Sequence, residues 1–260
     1  MWVRVAIVLR CAGALWRTES RRDTRKGPAM LIHPWDAATS EDEWRRWLAE
    51  HEPFGVLAVA NLDPDEAPLV LPLHLSLVDT VLVAHLARTN PVWPHLERAT
   101  RVRVAFHGDY AFIPGYWRAP DATAPADGVP TSYYSAVQFV CRPRIVDDPE
   151  AKAAILERQL GDLQPEGRHA AVVPGEPPYG TMLGAIRALE LEIVEVSAKF
   201  KYDDQKPVEL RDAVSAALIE RDHGLDRAAA SQQRRRLALL GAWRTHARSS
   251  APSSDQTPRA

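Results

Sequence analysis

Cysteine is scarce in this sequence. Only Cys11 and Cys141 occur among the 260 residues, and neither belongs to a CxxC pair or a Cys/His cluster. This scarcity disfavours a disulfide framework and a structural zinc site. Disulfide-poor chains are typical of reducing compartments, so we expect a cytoplasmic protein.

Long apolar runs and an excess of charge of one sign are also missing. No stretch approaches the roughly 18 apolar residues that a membrane-spanning helix requires. The 32 Lys and Arg residues against 34 Asp and Glu residues give a formal net charge of -2. Binding of nucleic acid through bulk charge alone is therefore disfavoured, although a local basic patch remains possible.

The common catalytic and nucleotide-binding motifs are absent. The sequence contains no GxGxxG after a strand, no GxxxxGK[ST], no HExxH and no GxSxG. These absences count against the usual nucleotide-binding, zinc-protease and hydrolase assignments.

Composition divides the chain into three parts. Residues 1–29 combine an apolar stretch interrupted by Arg4 and Arg10 with a polar segment that lacks periodicity. We interpret them as a disordered or misannotated upstream extension, with a targeting peptide as the alternative. We predict one domain over residues 30–247 and a disordered Ser/Pro-rich tail over residues 248–260.

Hydrophobic periodicity predicts an α+β fold. Apolar or alternating runs predict strands over residues 54–61, 68–78, 81–87, 101–107, 110–114, 132–146 and 188–202. Gly108-Asp109 is predicted to form a hairpin turn between two of these strands. Helices are predicted near the start of the domain and after the last strand, and the short turns favour an antiparallel barrel or sandwich.

Three segments at strand ends contain side chains that could bind a ligand. Arg88 precedes a helical turn and offers an anion-binding fork, or else it is a solvated arginine. Residues 131–134 (TSYY) offer hydroxyls and rings that could stack on a planar ligand, or they are ordinary strand formers. Lys199 and Lys201 share one strand face and could bind a phosphate, or they protect an edge strand from aggregation.

Two histidines and a run of arginines have weaker functional interpretations. If Asp79-Thr80 is a hairpin turn, His74 faces His85, and two imidazoles could bind a metal or haem iron. Without a third ligand we predict no metal site. The run Arg234-Arg235-Arg236, with Arg244 and Arg248, could contact DNA phosphates, or it is a solvated helix face.

Five blocks of sequence together resemble the PaiB family of FMN-binding negative transcriptional regulators. They follow the family's order and spacing over roughly residues 30–240. The blocks are MLIHP (30–34), HLARTNPVW (85–93), FHGDYAFIPGYW (106–117), VPTSYY (129–134) and KFKYDDQKP (199–207).

The resemblance implies an antiparallel split β-barrel of the FMN-binding, pyridoxamine-phosphate-oxidase-like class with flanking helices. It further implies a homodimer with FMN at the subunit interface and a regulatory role. The positions that match the family's flavin-binding neighbourhood are Arg88, Thr89, Asn90, Trp93, Thr131, Ser132, Tyr133, Tyr134, Lys199 and Lys201.

The sequence departs from the family pattern at two places. Ser132 and Tyr133 replace the Trp and Asn of a frequent PTWNY block, and Asp203-Asp204 falls where a Ser-Gln-Asn sequence is frequent. Carboxylates beside a phosphate would weaken flavin binding by repulsion. The alternative functions are a flavin-dependent oxidoreductase, because similar barrels serve oxidases and reductases, and a haem-binding or haem-degrading protein that uses His74 and His85.

Overall fold

The computed structural model describes residues 30–121 and 123–249, with side chains described as far as residue 239. The predicted extension, with Cys11, and nearly all of the predicted tail lie outside the described residues. The side chains of Arg244 and Arg248 also lie outside them. From Leu31 onward the described chain forms one compact unit.

The described strands form one antiparallel sheet in the order β2-β1-β5-β6-β7-β4-β3. The alternating apolar runs of the sequence supply its buried face, as a period of two requires. The seven strands are β1 (Phe54–Val59), β2 (Leu69–His74), β3 (Ser76–Val78), β4 (Val81–Ala87), β5 (Val102–Ile113), β6 (Thr131–Val146) and β7 (Ile186–Lys201).

The two edge strands of this sheet, β2 and β3, are consecutive in the chain. Only Leu75 separates them, and its amide donates to the carbonyl of Pro53 at 2.7 Å. The sheet must therefore curl until its margins meet, which makes it a barrel rather than an open sheet. The predicted α+β class with an antiparallel barrel is confirmed.

Apart from shifts of one or two residues at strand ends, the strands differ from the prediction at two places. The strand predicted over residues 68–78 breaks at Leu75, where the chain passes from one margin of the sheet to the other. The predicted turn at Gly108-Asp109 is instead a bulge within the continuous strand β5. Asp109 adopts the left-handed conformation with φ 53°, and its carboxylate accepts a hydrogen bond from Trp47 Nε1 at 2.6 Å.

Five helices flank the barrel in the described part of the chain. In α1, Trp44, Trp47 and Leu48 are buried, and their i, i+3 and i+4 spacing places them on one face of the helix. No helix among the described residues is long and apolar enough to cross a membrane. The helices are α1 (Glu41–Ala49), α2 (Trp93–Arg98), α3 (Pro149–Leu163), α4 (Val208–Arg221) and α5 (Asp226–Ser249).

The barrel interior and the inner faces of the helices form the main hydrophobic core. Leu57, Val104, Phe139 and Leu189 come from four different strands and are fully buried in it. Each such side chain contributes about 1.5–3 kcal/mol of transfer free energy. Packing of this core holds the sheet in place. It thereby determines which side chains at the ends of β5, β6 and β7 face outward.

Candidate functional site

Tyr134 and two lysines form a cationic and aromatic cluster at the end of the sheet. β6 and β7 are paired there, with Tyr134 opposite Lys201 and Ala136 opposite Lys199. The ammonium groups lie 5.5 Å (Lys199) and 5.8 Å (Lys201) from the centre of the Tyr134 ring. Both lysines thus lie beside one ring, as their two-residue spacing in a strand predicts.

Hydrogen bonds hold both ammonium groups in place. Lys201 Nζ donates to Thr131 Oγ1 at 2.9 Å. Lys199 Nζ donates to the carbonyl of Leu31, also at 2.9 Å. Lys199 is 8% exposed, so its side chain is largely buried. Burial raises the pKa of the nearby Asp36 carboxyl, although Lys199 opposes that effect.

Two further aromatic residues extend this cluster onto β5. Phe112 pairs with Ser132, and Tyr110 lies on the same face because one residue, Ala111, separates it from Phe112. The rings of Tyr110 and Phe112 are 54% and 49% exposed. We call the whole surface the aromatic–lysine face; it consists of Tyr110, Phe112, Thr131, Ser132, Tyr134, Lys199 and Lys201.

Tyr110 and Phe112 are not among the residues that the sequence predicts for the site. Their alternation with the buried Ala111 and Ile113 is the signal that could have identified them. It was obscured because the preceding Gly108-Asp109 pair resembles a hairpin turn.

Tyr133 lies on the opposite side of β6 from the aromatic–lysine face. Its ring is fully buried, and its hydroxyl bonds to Asp203 at 3.1 Å and Gln233 at 2.8 Å. Burial, followed by the charge of Asp203, raises the pKa of Tyr133 well above its ordinary value. This predicted site residue therefore belongs to the core and does not face a surface ligand.

Arg88 begins a second cluster at the other end of β7. Its Nε donates to the carbonyl of Gly184 at 2.9 Å, and its Nη2 donates to Asp147 at 3.2 Å. Arg187 binds the same Asp147 carboxylate at 2.7 Å. The bonds from Arg187 and the charge of Arg88 hold the pKa of Asp147 below its ordinary value. Arg88 itself stays half-exposed, at 47% of its side chain.

The remaining predicted residues of this segment have mainly local roles. Trp93 is 3% exposed, and its Nε1 donates to the carbonyl of Ala87 at 2.8 Å. Asn90 Oδ1 accepts from the amide of Val92 at 3.0 Å. Thr89 is exposed. Arg88 and Thr89 are thus the members of the segment that are most available to a ligand.

The Arg88 cluster and the aromatic–lysine face lie at opposite ends of β7 within one chain. The amide of Arg88 bonds to Ala185, directly before β7 begins, whereas Lys199 and Lys201 lie at its end. Thirteen residues of strand lie between Ala185 and Lys199, a contour of about 45 Å. One chain therefore does not bring the predicted cofactor-binding residues together around a single small molecule.

The two acids that were expected to repel a phosphate point into the protein. Asp203 binds Arg118 at 2.9 Å, and Asp204 binds Arg211 at 2.7 Å and Arg236 at 2.5 Å. Both carboxylates are almost fully buried. The expectation that these two acids repel a flavin phosphate is wrong. Each carboxylate is paired with arginine in the interior, behind the aromatic–lysine face.

The arginine run on α5 is not a free basic surface. Arg236 is 1% exposed and pairs with Glu43 at 2.7 Å. Arg235 pairs with the same carboxylate at 2.9 Å. Arg234 is the exposed member of the three. The interpretation of this run as a continuous DNA-contacting patch is wrong for Arg236, whose charge is used inside the fold.

The two histidines considered for metal binding have other neighbours. The hairpin register is as predicted, with Leu77 opposite Leu82 and Val78 opposite Val81. However, His74 belongs to β2 and lies against Phe54, while His85 Nδ1 bonds to Gln159 Oε1 at 2.6 Å. No group of three metal-ligating side chains occurs among residues 30–121 and 123–239.

Comparison with solved structures shows the same fold. The FAD and heme binding protein from Mycobacterium smegmatis is 17% identical with a TM-score of 0.50, and the match covers 68% of this chain and 79% of that one. The flavocytochrome Anf3 from Azotobacter vinelandii is 16% identical with a TM-score of 0.48, covering 64% and 70%. The likeness to the Mycobacterium smegmatis protein shows a shared fold, consistent with the antiparallel barrel described above.

Sequence comparison identifies the family. No curated protein matches the chain. The family model described as "Putative FMN-binding domain" matches residues 30–195, nearly two thirds of the sequence. The match begins at Met30, where the domain was predicted to start, and it confirms FMN as the predicted cofactor. The chain belongs to this family of FMN-binding domains.

Proposed function

We propose that the protein is a cytoplasmic, FMN-binding negative transcriptional regulator of the PaiB type that works as a homodimer. The observation that carries the flavin part of this proposal is the aromatic–lysine face, where two ammonium groups lie beside the Tyr134 ring. The regulatory part is supported by the five sequence blocks that resemble the PaiB family.

The groups on the aromatic–lysine face fit a planar, phosphorylated cofactor. Tyr110, Phe112 and Tyr134 offer ring faces or edges for offset stacking. Lys201 and Thr131 offer charged and hydroxyl donors to oxygen atoms. When bound there, FMN would supply electron and hydride chemistry, and positive charge close to its ring would favour the reduced form.

The homodimer is supported by the separation of the Arg88 cluster from the aromatic–lysine face. Arg88 and Thr89 reach the same flavin as the lysines only if one copy presents its Arg88 end to the lysine end of another. The outward face of the sheet has aliphatic side chains suited to such contact. Val70 is 61% exposed, and Val56, Ala58 and Ala105 are partly exposed beside it.

The binding proposal is tested by the absorption spectrum of the purified chain. We expect a flavin spectrum, and denaturation should release a chromophore that co-elutes with authentic FMN. Lys201→Met should weaken FMN binding roughly tenfold, since one charge-assisted contact is lost. Lys206→Met is the matched control, because Lys206 is exposed just beyond the same strand. Purified protein that is colourless and does not bind added FMN would contradict the proposal of FMN binding.

The regulatory proposal requires a second experiment. Mixing the yellow protein with NADH or NADPH without oxygen should leave the flavin oxidised if the protein is a regulator. Rapid bleaching with turnover would show an oxidoreductase instead. Deletion of the gene should raise transcription of target genes, and purified protein should shift their operator DNA. Unchanged transcription would contradict the regulatory role while leaving flavin binding intact.

A further inference from the structure

A small pocket lies between α1, the link between β2 and β3, and α3, outside the aromatic–lysine face. Its volume is about 310 Å³, at the lower end of the range for small-molecule sites. The side chains of Leu48, Pro53, Leu75 and Leu77 supply apolar lining. A ligand here can bury a hydrocarbon body of about one ring.

His51 lies in the wall of this pocket with both ring nitrogens already bonded. Its Nδ1 lies 2.6 Å from the carbonyl of Trp47, and its Nε2 lies 2.8 Å from Asp109 Oδ1. Both partners only accept hydrogen bonds, so both ring nitrogens must carry a proton. Burial of the ring lowers the His51 pKa, but these two partners outweigh it and raise the pKa overall.

Two arginines at the rim retain donors that the fold does not use. Arg45 is fixed by Glu41 at 2.8 Å and by the carbonyl of Asp79 at 2.9 Å. Arg158 bonds through Nε to Asp162, and its Nη1 and Nη2 form no hydrogen bond with any described residue. Each guanidinium has five N–H donors, so several remain for a ligand. Asp162 is the only carboxylate among the described lining residues.

Ser76 adds a hydroxyl group to the lining. The residue is 2% exposed and lines the pocket, and its hydroxyl forms no hydrogen bond with another described residue. The hydroxyl is therefore available to an oxygen-bearing ligand in the pocket.

From these four observations we propose that the pocket binds a small organic carboxylate with an apolar body of about one ring. The guanidinium groups of Arg45 and Arg158 donate to the carboxylate, and Ser76 binds one of its oxygens. The leucines and Pro53 cover the hydrocarbon part. His51 does not donate to the ligand, because both of its N–H groups are already used, and its charge is paired with Asp109. The proposal does not depend on the flavin assignment.

Calorimetric titration of the full-length protein, as purified, with sodium benzoate at constant ionic strength tests this proposal. Benzamide, which has the same ring but no charge, is the comparison ligand. We expect saturable 1:1 binding of benzoate that is roughly tenfold tighter than that of benzamide, because charge-assisted hydrogen bonds are lost with the amide. Arg158→Gln and Ser76→Ala should each weaken benzoate binding several-fold.

Arg227→Gln is the matched control variant. Arg227 is an exposed arginine that also pairs with a carboxylate close in sequence, Asp222, but it lies on α5 away from this pocket. Its substitution should leave the benzoate affinity unchanged. The proposal is overturned if benzoate does not bind, if benzamide binds equally well, or if Arg158→Gln and Ser76→Ala bind benzoate normally. Competition between benzoate and FMN would likewise overturn it by placing the benzoate in the flavin site.

Discussion

Replacement of Arg236 by methionine is the sharpest test of the interior charge arrangement. The guanidinium is 1% exposed and donates to Glu43 at 2.7 Å, Asp204 at 2.5 Å, and the carbonyls of Trp35 and Ala37 at 3.2 and 3.1 Å. It thereby ties α5 to α1 and to the segment after β7. Methionine retains much of the side-chain volume but none of these donors.

The expected loss of stability follows from the two carboxylates left behind. Breaking a buried ion pair by removing one partner costs about 3–5 kcal/mol. Glu43 keeps Arg235, and Asp204 keeps Arg211, so we expect a loss near the lower bound, about 3 kcal/mol. A loss of this size is a large part of the stability of a typical domain.

Urea unfolding followed by tryptophan fluorescence and by circular dichroism measures this loss. Arg234→Met is the matched control, because Arg234 is exposed and lies two residues earlier on the same helix; it should change stability by less than about 0.5 kcal/mol. Because Glu43 and Arg236 are in direct contact, the variant that combines Glu43→Gln with Arg236→Met should lose less stability than the sum of the two single losses. Equal effects of Arg234→Met and Arg236→Met, or a loss below about 1 kcal/mol for the latter, would refute the reasoning.

Two further predictions concern pH and packing. The raised pKa of His51 means that its ion pair with Asp109 stabilises the fold fully below about pH 6.5, the unfolded value, and is lost as pH rises through the folded pKa. His51→Gln should therefore flatten the stability profile above that pH, and an unchanged slope in urea melts would contradict this. Gly55→Ala should destabilise the barrel by about 1–3 kcal/mol, because a Cβ there would lie 2.9 Å from the Phe106 ring. An unchanged melting temperature would show that Phe106 moves aside freely.

Periodicity was sufficient to predict most of the strands and the antiparallel class. Within a single strand, the pattern of apolar residues shows which side chains face the core. This holds for the alternation of residues 68–78 and for the apolar runs of β1 and β4. The break at Leu75 could not be predicted, since a strand that leaves one sheet margin for the other keeps the same alternation. The bulge at Asp109 was misassigned because turns and bulges both favour residues that accept a positive φ.

The relative placement of the candidate residues could be predicted where one strand carries the information. Lys199 and Lys201 share a face by their spacing alone, and Tyr134 joins them through strand pairing. The orientation of Asp203 and Asp204 depends instead on arginines on other elements. No pattern of nearby residues reveals such long-range partners, so these acids were wrongly assigned to the ligand side. The burial of Tyr133 is a comparable case, because its hydrogen-bond partners come from distant segments.

The passage of the chain through Leu75 has a consequence for how the domain opens. Because β2 and β3 are one segment, both margins of the sheet are held by neighbouring peptide bonds. Local fraying of one margin must pull on the other, so the amide hydrogens of these residues should exchange with solvent as one cooperative group. The same arrangement leaves few unpaired strand edges for another chain to join, which protects the folded domain against edge-to-edge aggregation.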